Sequence, residues 1–197
     1  RLAGLYDPVA GDLQTTYDRE AQYYEKYKNV QEGVNTDWLA QPVRNAFSHT
    51  HSLLVEGGAD NVLYSIDGFF DKNNGVMKGS GRDRYGLGFT LQYRIKDKII
   101  IRNYASYSNT HAYDSPYGSF STYAAANPYE RPWLENGELR PTLLNGSANP
   151  LYDASLPNRS NSDDEYFADN LSVDWIAGKG WRLMGSFRVE KGNTRGE

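Results

Sequence analysis

The 197 residues carry 21 basic and 25 acidic side chains, a net charge of −4, and no cysteine. That balance argues against a nucleic-acid surface, which needs clustered excess Lys and Arg. Without thiols there is no disulfide scaffold, thiolate zinc cluster or thiol nucleophile. Mean hydropathy is −0.73 and no long apolar run occurs. A transmembrane helix is therefore not encoded, whereas a transmembrane barrel, apolar on one strand face only, stays open.

The length suffices for one domain with a sizeable core. The chain opens at Arg1 with neither an initiator Met nor an apolar signal segment, which leads to the expectation of a processed start or an excised piece. In chain order, Thr15 to Gly33 reads as a helix, with Thr15 able to cap it, Asp18 in the first turn and Gly33 able to end it. Tyr17, Ala21, Tyr24 and Tyr27 fall near one face of that helix, so the Tyr-rich side is expected to be docked and the polar side solvated. Thr36 to Asn45 is expected to add a short helical turn, interrupted near Pro42.

From Ala46 the hydrophobic period becomes two. Strands are expected over Ala46–Gly57, Asn61–Asp71, Asp83–Ile95, Ile99–Asn109, Tyr166–Ile176 and Trp181–Glu190. The third is the clearest: Tyr85, Leu87, Phe89, Leu91, Tyr93 and Ile95 oppose Arg84, Gly86, Gly88, Thr90, Gln92 and Arg94. The last repeats the pattern, with Trp181, Leu183, Gly185, Phe187 and Val189 on one side. Ile99–Asn109 alternates poorly.

A half-solvated sheet in a soluble sandwich would alternate in the same way. The connections favour a barrel. Gly58–Asp60, Lys96–Lys98 and Ala177–Gly180 are short, while Lys72–Arg82 and Thr110–Glu165 between them are longer and polar. Outer-membrane barrels alternate brief periplasmic turns with extended extracellular loops in this manner. The expected fold is all-β, mainly antiparallel strands of a partial transmembrane β-barrel with a short N-terminal helical segment. The expected division is 1–45, helical or irregular, followed by 46–197, barrel strands with a long loop at 110–165. Six strands are too few to close a membrane barrel, whose smallest members have about eight, so further strands are expected from elsewhere.

His49 and His51 would share a strand face, as a metal pair requires, but no third ligand accompanies them. Two ordinary strand residues explain them better. Asp163, Asp164 and Glu165 form the densest acidic run; a solvated loop tip, a weak calcium site or a glycosidase carboxylate pair are the alternatives. No phosphate-binding, dinucleotide-binding or hydrolase motif occurs, so no cofactor is expected.

The long loop combines six prolines with Tyr113, Tyr117, Phe120, Tyr123, Tyr129, Trp133 and Tyr152. A disordered linker would be poor in aromatics, so the loop should pack. Aromatic faces bordered by Asn, Ser and Asp suit sugar or peptide binding, and they also suit a small core of the loop's own. Both readings stand at this point.

The stretch Asn35-Thr36-Asp37-Trp38, then Arg44, Phe47 and Val55-Glu56-Gly57-Gly58, resembles the early barrel of SusC/RagA-type TonB-dependent transporters. Asn74-Gly75-Val76-Met77-Lys78 and the strand from Tyr85 to Tyr93 do so as well. Ser115-Pro116-Tyr117-Gly118, Asn127-Pro128-Tyr129 and Asn149-Pro150-Leu151-Tyr152 resemble that family's long extracellular loop. The resemblance implies a large single-chain barrel in the bacterial outer membrane, with an N-terminal plug and energised by the TonB complex. It also implies a SusD-like surface lipoprotein as partner, a glycan or peptide as cargo, and no catalysis. Thr15–Asn45, Lys72–Arg82 and Thr110–Glu165 would then face outside, with Tyr117, Phe120, Tyr129 and Trp133 as candidate contacts to ligand or partner. Polar strand faces with Arg84, Gln92, Arg94, Arg182 and Arg188 would line the lumen, and the apolar faces would meet outer-membrane lipid. The alternatives are a soluble β-rich carbohydrate-binding module and a glycoside hydrolase fragment.

Overall fold

The structure, a computed structural model, describes residues 8–157 and 160–196. The first seven residues of the expected 1–45 segment lie outside the described residues. Two units divide the chain: residues 8–44, 76–78 and 115–157 form one, and residues 45–75, 79–114 and 160–196 the other.

The first unit begins with helix α1 (Leu13–Gln31). Asp12, not Thr15, caps it: the Asp12 carboxylate accepts from the Thr15 backbone N–H at 2.9 Å and from the Thr15 hydroxyl at 2.6 Å. Those two bonds hold the Asp12 carboxyl below its usual range, the hydroxyl contributing most. Gly33, at φ +70°, ends the helix as expected.

The Tyr-rich side of α1 is not docked among the described residues. Tyr17, Tyr24 and Tyr27 are 69%, 62% and 54% exposed. The docked side carries polar groups instead. Buried Asn29 donates from Nδ2 to the Tyr129 carbonyl at 3.0 Å, and Lys26 meets the buried Glu130 carboxylate at 3.3 Å. The helix is held by directional bonds to backbone and carboxylate, which an apolar-stripe argument does not anticipate.

Trp38, Tyr123, Leu143 and Leu151 form this unit's core, with Tyr117, Ala126 and Leu139 packed against it. Indole Nε1 of Trp38 donates to the Asn127 carbonyl at 2.8 Å and the Tyr123 hydroxyl to the Pro150 carbonyl at 3.1 Å. Short helices α2 (Phe120–Ala124) and α3 (Pro150–Ser155) fall within the long connection. No helix forms over 36–45; Gln41 N–H to Trp38 carbonyl closes a single turn, and the chain then bridges Val43 to Met77.

The second unit is one six-stranded antiparallel sheet in sequence order, β1 (His49–Ala59), β2 (Val62–Asn74), β3 (Gly81–Ile95), β4 (Ile99–Tyr113), β5 (Asn161–Gly178) and β6 (Trp181–Gly196). The sheet is open: β1 and β6 are edges among the described residues. Lys179-Gly180, a two-residue hairpin loop, and Lys96-Asp97, within the three-residue connection Lys96–Lys98, have positive φ at both residues, the conformation whose twist suits tight hairpins. Strands outrun the expected bounds on the opposite side. β4 reaches Tyr113 and β5 starts at Asn161, so the connection between them is 114–160, not 110–165. Loop-like polar composition there was misleading, because ladder hydrogen bonds continue through Asp163↔His111 and Asn161↔Tyr113.

Candidate functional site

In the first unit, one side of α1 and the segment after Pro128 enclose a cleft of about 230 Å³. Glu25, Lys28 and Asn29 line it from the helix and Glu32 from its C-cap; Trp133, Leu134 and Arg140 are among its lining residues on the other wall. The helix positions fall at i, i+3, i+4 and i+7, so one face supplies all four. Arg131 donates to Glu32 at 2.6 Å, and Lys28 lies 3.8 Å from Glu135. Arg140 keeps a buried Nε without a hydrogen-bond partner. Trp133, 42% exposed, offers an aromatic surface beside charged and amide edges, an arrangement that can take a planar sugar or peptide surface and fix it by hydrogen bonds.

This wall is built by a tandem repeat. Pro132, Pro141 and Pro150 stand nine residues apart, with Leu134-Glu135-Asn136-Gly137 and Leu143-Leu144-Asn145-Gly146 between them. The hydrogen bonds repeat at the same offset. Leu134 N–H reaches the Glu138 carbonyl at 2.7 Å, and Leu143 N–H the Ser147 carbonyl at 2.8 Å. Asn136 and Asn145 each accept from the N–H two residues on, at 3.0 and 2.9 Å. Gly137 and Gly146, at φ +86° and +81°, take the left-handed position each loop requires. The second loop buries Leu143 in the core, whereas the first leaves Trp133 and Leu134 at the cleft.

Two buried polar groups lock the repeat in place. Glu130 accepts from the Leu144 N–H at 2.8 Å opposite Lys26. Asn149, fully buried, donates to the Pro132 and Arg140 carbonyls at 2.9 and 2.8 Å and caps α3 through the Leu151 N–H.

Of the four candidate contacts, Trp133 lines the cleft. Tyr117 packs against the core, 6.3 Å from the Tyr123 ring, with the Lys78 ammonium 5.7 Å above its face. Phe120 and Tyr129 are exposed and do not line the cleft. Burial, with the nearby Tyr117 and Asp153, pushes the Tyr123 phenol up to about 12.

In the second unit the register separates two faces. One carries Leu53 and Val55, Tyr64 and Ile66, the β3 series Tyr85 to Ile95, Ile101 and Tyr107, Phe167, Leu171 and Trp175, and Leu183 and Phe187. Ile99, Ile101 and Tyr107 join this face although their strand alternates poorly, because their paired neighbours fix it. The other face carries paired polar groups. Arg182 meets Asp174 through two hydrogen bonds, Arg102 donates to Gln92 at 3.0 Å, and Arg188 lies 2.6 Å from Glu190. Gly86 and Gly88 leave space there for Phe69 and Asp67: a Cβ at either would come within 2.6 Å of that neighbour's side chain.

His49 and His51 share the apolar face, rings 5.1 Å apart and beside Phe70. No group of three metal-ligating side chains occurs among the described residues. His111 and the Asp163–Glu165 run stand on strands, not in a loop. Alternation puts Asp163 on the apolar side, 2.6 Å from His111, and Asp164 on the other, where Thr194 donates to it at 2.6 Å.

No protein-family model matches the chain. It is 24% identical, over 200 residues, to the TonB-dependent receptor SusC of Bacteroides thetaiotaomicron. The chain is similar to a TonB-dependent receptor. The alignment takes in 86% of this chain and 19% of SusC, so the chain spans about a fifth of that relative's length.

Sequence reasoning did not single out Glu130 or the paired loops of the repeat, and it quoted Asn149 only within a family motif, not as a buried lock. The Asn-Gly pairs at 136–137 and 145–146, with prolines nine apart, carry the signal for the loops. Nothing in the sequence marks Glu130 as buried.

Proposed function

We propose that this chain is a segment of a TonB-dependent outer-membrane importer of glycans or peptides, without catalysis of its own. The observation that carries this is the division of the six-stranded sheet into an apolar and a hydrogen-bonded polar face. The apolar side chains are large and exposed, among them Leu87, Phe187 and Trp181. From Tyr85 to Ile95, ten steps of the strand cover about 33 Å, or about 25 Å when tilted about 40°, the height of a barrel's apolar band. Tyr85 and Tyr107 stand near one limit of the band, and Tyr93, Trp175 and Trp181 near the other, as interfacial girdles do. In this reading the apolar face meets lipid, the face with Arg84, Gln92, Arg94, Arg182 and Arg188 lines the lumen, and the edges β1 and β6 pair with further strands of the parent protein.

The Trp133 cleft and the exposed Phe120 and Tyr129 are the contacts for cargo or for a SusD-like lipoprotein, with the TonB complex energising the parent. The likeness to SusC supports this assignment. A spin-label scan along β3 in the membrane-reconstituted parent tests it. Oxygen accessibility should peak at 85, 87, 89, 91 and 93 and fall at the intervening positions. Equal accessibility at all positions would contradict it.

A further inference from the structure

The polar face of the sheet carries Arg82, Arg84, Arg94, Arg102, Arg182 and Arg188. Most of these cations are matched within the chain. Arg182 meets Asp174, Arg188 lies 2.6 Å from Glu190, Arg94 lies 4.0 Å from Asp97, and Arg102 donates to Gln92. Arg82 and Arg84 have neither a hydrogen bond nor an ion pair among the described residues. They stand two apart on β3, so both side chains leave one face about 6.7 Å from each other. That end of the strand is the one nearest the connection from β2. Arg82 is exposed and Arg84 half-buried.

The register would allow Arg84 a carboxylate, and the side chains decline it. Asp71 stands directly opposite on β2, but accepts from the Thr50 hydroxyl at 2.9 Å. Arg84 lies instead over the Phe69 ring, 5.5 Å from its centroid. Gly86 makes room for this, since a Cβ there would come within 2.6 Å of that ring. The ring contact restrains the guanidinium, and none of its N–H donors is bonded to protein among the described residues. Two like charges on one strand face repel each other, and a shared anion removes that repulsion. A carboxylate between them would take a charge-assisted bond from each guanidinium.

The neighbours select what carries that carboxylate. Asp71 and Asp164, in the register row of Arg84, each hold a threonine hydroxyl, Thr50 at 2.9 Å and Thr194 at 2.6 Å. Ionised carboxylates accept and cannot donate, so beside the arginines the row offers groups that take hydroxyls. A run of acidic side chains on a ligand would be repelled by them. A single carboxylate among hydroxyls, as on a uronic acid ring, would meet a partner at every group.

We infer that Arg82 and Arg84 form a subsite for a uronate unit of an acidic glycan. The two guanidinia share its carboxylate, and Asp71 accepts from a ring hydroxyl. The inference rests on the reading of the polar face as the lumen wall. It gives the cargo a charge and a chemical class that this reading alone leaves open.

The test is calorimetry with the full-length parent protein in detergent, offered a trimer of galacturonic acid, the methyl ester of that trimer, or a trimer of glutamic acid. The acid trimer should bind at least about tenfold more tightly than its ester, which keeps the hydroxyls and lacks the charge. The glutamic trimer should bind no better than the ester. Arg82→Gln, at an exposed position, should lower affinity for the acid trimer by about tenfold and leave the ester unchanged. Arg84→Gln should do the same, and Arg84→Lys should recover part of that loss, because an ammonium keeps the charge without the fork. Arg195→Gln, an equal change of charge on the other face, should alter neither ligand. Equal binding of acid and ester, or no response to Arg82→Gln, would overturn the inference. Equal binding of the galacturonic and glutamic trimers would overturn it too, in favour of plain charge attraction. Oxygen access to spin labels at Arg84 and Leu87 separates the two levels. If position 87 is no more accessible than 84, the lumen reading itself falls; if it is more accessible while acid and ester bind alike, only this inference falls.

Discussion

Asn103 donates from Nδ2 to Asp169 Oδ1 across 2.6 Å, between β4 and β5, on the apolar face of the sheet. Leu91 and Leu171 flank Asn103 in its row, and Ala105 and Val189 flank Asp169. A polar pair in that position satisfies itself across the two strands, and each member depends on the other. If the proposed lipid-facing reading holds, Asn103→Leu should destabilise the membrane-inserted protein by about 1–3 kcal/mol, the cost of leaving a buried polar group alone. Replacing both by Leu should restore most of that loss. Urea unfolding from lipid vesicles measures both; a double variant as unstable as the single one would show that the pair does not act as a unit.

Glu130 is the polar keystone of the first unit. Its carboxylate faces Lys26 on α1 and accepts from Leu144 in the second loop of the repeat. Glu130→Ala should cost about 1.5–3 kcal/mol, typical of a hydrogen bond to a charged group. It should appear as faster protease cleavage within 114–157, with the strands still intact. Cleavage at the parent rate would contradict the role.

Tyr123 gives the first unit a sensitivity to alkali. Its phenol titrates near 10 in an unfolded chain and at about 12 here, because burial favours the neutral form. The raised value means that the folded state holds the proton more tightly. The contribution of this group to stability is therefore intact below pH 10 and is lost as pH rises through 12. Fluorescence of Trp38, in the same core, should report loosening across that window. Tyr123→Phe, which gives up the bond to the Pro150 carbonyl, should lower stability at neutral pH and remove this component of the alkaline dependence.

Trp133 is the cleft's aromatic wall, and Trp133→Ala should weaken cargo or partner binding by more than about tenfold, as loss of a buried aromatic anchor does. Calorimetry with the parent protein measures it. Because Trp133 lies outside the core cluster, the variant's stability should change little.

The strand faces were legible in the sequence because period-two alternation and pairing say the same thing. From Tyr85 to Ile95 every apolar residue keeps its expected side. The unpaired state of Arg84 was not legible there, since Asp71 stands directly opposite it and yet accepts from Thr50. The strand ends beyond Asn109 and before Tyr166 were missed because their polar side chains look like loop, while backbone bonding continues whatever the side chains are. The docked side of α1 was missed for a related reason. Asn29 and Lys26 bind through hydrogen bonds and charge, which leave no apolar stripe to find. The aromatic loop was expected to pack or to bind; its core around Tyr123 is seen, and Trp133 at the cleft leaves binding to experiment.

The central claim is that the apolar face of the sheet meets lipid, and Phe89→Arg in the full-length parent tests it most directly. An arginine facing lipid near the midplane costs about 2–4 kcal/mol, so assembly into vesicles should fall by that amount. Thr90→Arg, on the opposite face of the same strand, should assemble almost as the parent does. Unchanged assembly of Phe89→Arg, or an equal loss with Thr90→Arg, would contradict the account.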